Sequence, residues 1–278
     1  MSLRRIVKLS TFGNVAADST ATVNLFVGAR KYHQLLIKYK DGTANLAAMT
    51  TAIPRIRILI NGKVQREMTF AELATINAFY GKTFDAGRIS IFFSLANLRT
   101  SVGEELYGWG TSNVDTFAVE IDIAAGQTAP TLSGIAVVED TLEPLGPIIK
   151  WKRFPGKVAG GAGEFDISDL PKLSGAYWAT HLFSQYATAV QVLVDDLKVF
   201  EVNRDDLALI YADASPAISL QANTVSVLFP FTQQGDQILP MVYTRNGVNY
   251  GVKDFIVKPT LSQAETFGVI AEIVGLAD

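Results

Sequence analysis

One pattern occurs twice in this chain, and that repetition restricts the fold more than any other feature. Residues Ile56 to Ile76 read IRILINGKVQREMTFAELATI, and a shift of 134 positions without a gap brings them onto Val190 to Ile210, VQVLVDDLKVFEVNRDDLALI. Both copies open with apolar residues at period two, Ile56, Ile58 and Ile60 against Val190, Val192 and Val194, the spacing of a strand with one buried face. A tight-turn pair follows, Asn61-Gly62 or Asp195-Asp196. Asn-Gly is the strongest short hairpin signal because both residues tolerate positive φ. After the return strand, Thr69 or Asn203 offers a helix N-cap with Glu72 or Asp206 three residues on, a capping-box spacing in the first copy and a looser one in the second. The helices that follow are expected to bury Ile76 and Ile210. Only Leu59, Glu67, Leu73, Ala74 and Ile76 are identical to their partners, so the order of elements, not identity, carries the duplication.

The flanking sequence extends the repeat. In the first half, strands are expected over Ile6 to Phe12, Ala21 to Val27, Tyr32 to Tyr39, Arg88 to Leu95, Phe117 to Ile123 and Leu132 to Val138, with Asp41 to Pro54 a soft loop. In the second, Ile149 to Phe154 echoes Val7 to Phe12, Tyr177 pairs with Tyr32, and Val225 to Phe229 lies over Ile89 to Phe93 at an offset of 136. A Pro-containing run, Glu143 to Pro147, reads as a linker. The expected fold is all-β, two tandem eight-stranded jelly rolls, each with a short helix, occupying residues 1–142 and 143–278. Short strands with turn signals at this spacing suggest sandwiches or barrels, and the double Greek key is an inference beyond the strand count.

Apolar residues make up 49% of the chain and charged residues only 18%, enough for two cores with apolar area left for subunit contacts. A net charge of -3 leaves no basic footprint for direct nucleic-acid binding. With no cysteine, disulfides and thiolate chemistry are excluded, which fits assembly in a reducing cytoplasm. The N-terminus lacks the apolar run of a signal peptide, and no window approaches ~18 apolar residues, so a soluble protein is expected.

Catalytic signals are thin. His33 and His181 are the only histidines and occupy non-equivalent places, so they cannot supply the clustered ligands of a metal-binding cupin; both are expected as half-buried strand residues. Asp195, Asp196, Asp205 and Asp206 leave calcium open, although a turn and a first helical turn, where carboxylates meet the helix dipole, explain them more plainly. No cofactor is expected. Gly160 to Gly163 precedes no helix that could aim amides at a phosphate and reads as a turn. Tyr107 and Trp109 lie on one long loop, Tyr243 and Tyr250 on another. They either pin each loop to its own barrel or sit at subunit contacts, where aromatics are enriched. Arg4, Arg5 and Lys8 are either a solvated basic tail or face anionic lipid headgroups, each worth ~1 kcal/mol near such a surface.

Five stretches, in this order along the chain, resemble a known family: Asn14-Val15-Ala16-Ala17; Ile89 to Phe93; Glu120 to Ile123 with Ala124-Ala125-Gly126; Leu132-Ser133-Gly134-Ile135-Ala136; and Leu170-Pro171. The chain is similar to the double jelly-roll major capsid proteins of tailless, icosahedral, membrane-containing bacterial viruses, of the corticovirus type. The resemblance implies a homotrimer whose six upright jelly rolls form a pseudo-hexagonal capsomer around an internal membrane. Its partners would be further copies of itself, other capsid and vertex proteins, and that membrane or its proteins. It places Arg4, Arg5 and Lys8 on the inner face and the loops of Tyr107, Trp109, Tyr243 and Tyr250 outside or between subunits. Two other classes compete: a two-jelly-roll glycan hydrolase of the peptide N-glycanase kind, for which no acid pair stands out at the junction of the halves, and a carbohydrate-binding spike module.

Overall fold

A computed structural model describes residues 4–42, 46–82, 85–94, 107–172, 175–214, 218–229, 238–245 and 247–278. The chain divides into two compact units. The first holds Met1–Ala78, Lys82–Ile148 and Leu276–Asp278; the second holds Phe79–Gly81 and Ile149–Gly275.

In the first unit the strands are β1 (Arg4–Lys8), β2 (Ser19–Asn24), β3 (Lys31–Lys40), β4 (Arg55–Ile60), β5 (Lys63–Met68), β6 (Arg88–Phe92), β7 (Trp109–Gly110), β8 (Phe117–Ile123) and β9 (Thr131–Glu139). One sheet runs β1-β9-β3-β6 and the other contains β5-β4-β8-β2, with β7 added beside β3. In the second unit they are β10 (Ile148–Ala159), β11 (Gly163–Glu164), β12 (Ala176–Phe183), β13 (Ala187–Val194), β14 (Leu197–Asn203), β15 (Val225–Leu228), β16 (Leu239–Pro240), β17 (Val242–Arg245), β18 (Val248–Gly251), β19 (Phe255–Leu261) and β20 (Glu265–Gly275). Here the orders are β10-β20-β12-β15 and β11-β19-β13-β14, with β16 added beside β12. The two orders are the same once first, second and later strands are matched. Apart from the β4–β5 and β13–β14 hairpins, which stay within one sheet, the main strands of each unit cross from sheet to sheet along the jelly-roll path.

The repeat noticed in the sequence is reproduced down to its irregularities. Asn61 and Gly62 have φ 49 and 76, Asp195 and Asp196 φ 47 and 65, as a two-residue hairpin loop with positive φ at both positions requires. Each turn is also tied to the neighbouring strand. Asn61 Oδ1 accepts from the Asp115 and Thr116 amides at 2.9 and 3.1 Å, and Asp195 Oδ1 accepts from Lys253 and Asp254 at 2.7 and 3.0 Å. Only one side-chain oxygen is used, so Asn and Asp serve equally. The β4–β5 pairing slips between Ile58 and Leu59 and the β13–β14 pairing between Val192 and Leu193, so a bulge was copied with the hairpin. Tyr32 donates from its hydroxyl to Phe26 O and Tyr177 to Pro171 O, both at 2.8 Å. The residues after them, His33 and Trp178, each sit at a register slip.

Each core is built on an equivalent aromatic cluster. Tyr32, Phe93 and Phe117 pack edge-on with centroids 5.1 to 6.5 Å apart, and Tyr177, Phe229 and Phe255 pack at 4.5 to 6.0 Å, within the range where aromatic pairs gain beyond their buried area. Phe117 and Phe255 open β8 and β19, whose strict alternation buries every second residue.

Helices account for most differences from expectation. The stretch from Asp41 to Pro54 is not all loop but carries α1 (Leu46–Ala52). Its Ala-rich sequence favours helix, and Met49, Ala52 and Ile53 are buried at helical spacing. This insertion is why the repeat offset falls from 145 at Tyr32 to 134 at Ile56. In α2 (Phe70–Phe79) the capping box forms, Thr69 N donating to Glu72 Oε2 at 2.7 Å and Glu72 N to Thr69 Oγ1 at 3.1 Å. In α3 (Arg204–Ala212) Asn203 occupies the N-cap position but makes no side-chain capping bond. Ile76 is buried as expected; Ile210 is not, because α3 turns Leu207 and Tyr211 inward and leaves Leu209 and Ile210 exposed. The segment read as a linker is held to the first unit: Glu143 O accepts from Ser112 N at 3.2 Å, and its carboxylate from Lys31 Nζ at 2.9 Å.

Candidate assembly surfaces

Jelly rolls present sheet faces, strand edges and end loops, and the candidate residues fall differently among these. Trp109 does not reach a surface. As part of β7 it pairs with Tyr32 and is 0% exposed, its ring 4.6 Å from Phe93 and 5.5 Å from Phe117. Its side chain is thus pinned to its own barrel and offers no exposed surface within this chain. Tyr107 is half-buried, and burial raises its hydroxyl above the usual tyrosine range. Tyr250 is exposed on β18, opposite Tyr243 across the β17–β18 hairpin. The side chain of Tyr243, residues 98–106 of the first long loop, and Asn246 lie outside the described residues.

Arg4, Arg5 and Lys8 are exposed, but they belong to a strand and not to a tail. Arg5 Nε lies 2.6 Å from Asp140 Oδ2, and the Arg5 hydrogen bond and charge hold the Asp140 carboxyl below the usual range.

The histidines are buried deeper than expected, His33 at 4% and His181 at 1% exposure, because β12 is buried over six consecutive residues and His33 sits at the β3 bulge. His181 Nδ1 is 2.8 Å from Ser226 Oγ and Nε2 3.7 Å from Glu272, whose Oε2 accepts from Tyr80 at 2.5 Å. Asp195 is occupied as a turn acceptor, and the Asp254 and Lys253 amides hold its carboxyl down. Asp205 and Asp206 lie in the first turn of α3. Among the described residues no group of three or more His, Asp or Glu is placed to hold a metal ion. Gly160 to Ala162 connect β10 to β11, which opens on Gly163.

On the outward face of the first unit's second sheet, Asp122 accepts from Thr20 Oγ1 and Arg55 Nε, each at 2.7 Å, while Arg57 bridges Asp122 and Glu120 at 3.2 and 3.0 Å. Burial works to raise the Asp122 carboxyl, but Thr20, Arg55 and Arg57 outweigh it and hold it below the usual range. A depressed carboxyl contributes stability above its unfolded value of about 3.9 and loses it as pH falls through the folded one. Thermal midpoints should therefore be flat near neutrality and fall below about pH 4, and Asp122→Asn should flatten part of that acid slope; an unchanged slope would remove Asp122 from the account.

Sequence reasoning missed two exposed apolar sites on the second unit: Leu197, and the Leu209-Ile210 pair of α3. The buried stripe keeps its place, Leu73 and Asn77 matching Leu207 and Tyr211, but it is narrower in α3, where Ile210 is exposed at the position that Ile76 buries in α2.

A family model described as the viral coat protein P2 N-terminal domain matches residues 6–139, and one described as the P2 C-terminal domain matches residues 148–277. The chain belongs to the viral coat protein P2 family. No curated protein matches this coat protein by sequence. Among solved structures it is similar to the major capsid protein P2 of bacteriophage PM2, with a TM-score of 0.84 at 21% identity over 99% of this chain and 98% of that one. It is also similar to a chain of the PBCV-1 virus capsid, TM-score 0.65 at 8% identity over 99% and 94% of the two chains. A chain of Sulfolobus turreted icosahedral virus gives 0.67 at 9% identity over 98% and 91%. At these identities the likeness establishes the fold of the coat protein, a double jelly roll.

Proposed function

We propose that this coat protein is a major capsid subunit whose homotrimers form pseudo-hexagonal capsomers of an icosahedral shell around an internal membrane. The observation that carries the reading is the copied strand order: two equivalent barrels per chain, tripled, give six similar walls from one gene product. Membership of the coat protein family and the likeness to the PM2 capsid protein support it. The role is structural, without a catalysed reaction; assembly takes place in the host cytoplasm, and neighbouring capsomers and vertex proteins are the partners. Arg4, Arg5 and Lys8 would lie toward the membrane side, and Tyr107, Tyr243 and Tyr250 at outer loops or subunit contacts. A permanent trimer of this kind buries more than ~2,000 Å² per interface, so it should persist on dilution. Native mass and light scattering are expected to give three copies, and negative staining a six-sided outline. A stable monomer at high concentration would overturn the reading, as would glycan release from a glycopeptide.

A further inference from the structure

The duplicated fold allows each strand to be compared with its own twin, and two of the twins are unequally covered. The first strand of the second unit, β10, buries Ile148, Ile149, Lys150 and Trp151. Its twin β1 buries no residue and leaves Ile6 68% exposed. On the other sheet β5 buries Gln65, Arg66 and Met68, whereas the same positions of its twin β14, Val199, Phe200 and Val202, are only half-buried, and Leu197 at the start of β14 is 68% exposed.

Both poorly covered strands are sheet edges. Among the described residues β1 neighbours only β9, and β14 only β13. Leu9 donates its amide to Gly134 on β9 at 2.9 Å, so by alternation the amides of Ile6 and Lys8 point the other way. A strand edge carrying exposed apolar side chains is a template for pairing with another chain unless something covers it. The two edges also differ in charge. Residues 4–8 carry Arg4, Arg5 and Lys8 and no carboxylate, with Arg5 held by Asp140, whereas residues 195–206 carry Asp195 and Asp196 in the turn before β14, Glu201 on β14, and Asp205 and Asp206 in α3. The two cations of that second segment are engaged locally, Lys198 with Glu201 at 2.8 Å and Arg204 with the Thr224 and Gln221 carbonyls.

We infer that β1 of one copy lies against β14 of a second copy, the basic edge on the acidic one. The inference rests on the trimeric reading above and names the strands that close it. Two different surfaces of one chain make a head-to-tail contact, which ends in a ring when its rotation closes. Each copy in such a ring then covers both of its edges.

The absence of cysteine gives a clean test. Ile6→Cys is combined in turn with Leu197→Cys, Lys198→Cys, Val199→Cys, Phe200→Cys and Glu201→Cys in the full chain, and each oligomer is oxidised and then denatured without reductant. A disulfide forms where Cα atoms approach within about 4.4–6.8 Å. At least one double variant should convert to covalent dimers and trimers that reductant dissolves, with each single variant giving at most traces. A native trimer in which all five double variants remain monomeric after denaturation would place the edges apart and overturn the pairing. A native monomer would overturn the trimeric reading itself.

Discussion

Trp109→Ala should lower the stability of the first unit by about 3–5 kcal/mol, the range for deleting a buried large aromatic. The indole is fully buried between Phe93 and Phe117 and lies 5.2 Å from the Arg66 guanidinium. Arg66 is itself only 2% exposed and donates to Phe92 O at 2.6 Å. Truncation therefore removes packing from an aromatic cluster and strips one wall from a buried cation, where cation–π contact is worth about 2 kcal/mol when desolvated. Among the described residues the indole N–H has no hydrogen-bond partner, so Trp109→Phe loses no polar contact there and should recover most of the deficit. Denaturant titration is the measurement, read as a lower midpoint at unchanged slope. A loss below about 1 kcal/mol for the alanine variant would mean that the site collapses and that Trp109 is not a keystone of that core.

Gly175→Ala should be nearly as damaging in the second unit, for a backbone reason. Gly175 has φ 135, and an added Cβ would land on the carbonyl oxygen of Val274, with Val274 C at 2.9 Å and Gly275 Cα at 3.2 Å. These are main-chain atoms of β20 and cannot swing away. The next residue, Ala176, pairs with Val274, so relief requires β12 and β20 to separate at the centre of their sheet. Backbone strain of ~1–3 kcal/mol adds to overpacking of ~1–3 kcal/mol. Gly62→Ala is the control: φ is 76 but nothing lies within 4 Å of the new Cβ, so only strain remains. If the two variants shift the thermal midpoint equally, close approach of β20 is not what requires glycine at 175.

The hairpins and the capping box were legible because their causes are local. Asn61-Gly62 sets its own turn through tolerance of positive φ, and Thr69 with Glu72 caps a helix three residues away. The alternation of Phe117 to Ile123 likewise needs only one buried face. Trp109 was left open between its own barrel and a subunit contact because an aromatic on a glycine-rich loop suits either until the loop is seen to lay two residues beside β3. The histidines were placed too near solvent because single residues on a strand give no sign that both sheet faces are covered. Ile210 was assigned to a buried stripe by repeat offset alone, and the offset conserves which face of the helix turns inward but not how much of that face is covered. The helix inside Asp41 to Pro54 escaped because its seven residues are too few for propensity alone to decide, and the burial of Met49 against the barrel holds it.

The chain by itself determined that a barrel unit was made twice, with its turns and alternating faces, since these depend on φ preferences and side-chain periodicity within a few residues. Tertiary structure alone decided the strand order, the depth of Trp109 and the histidines, and which twin strands are left exposed. Those outcomes depend on which distant segments exclude water from one another, and no local preference carries that information.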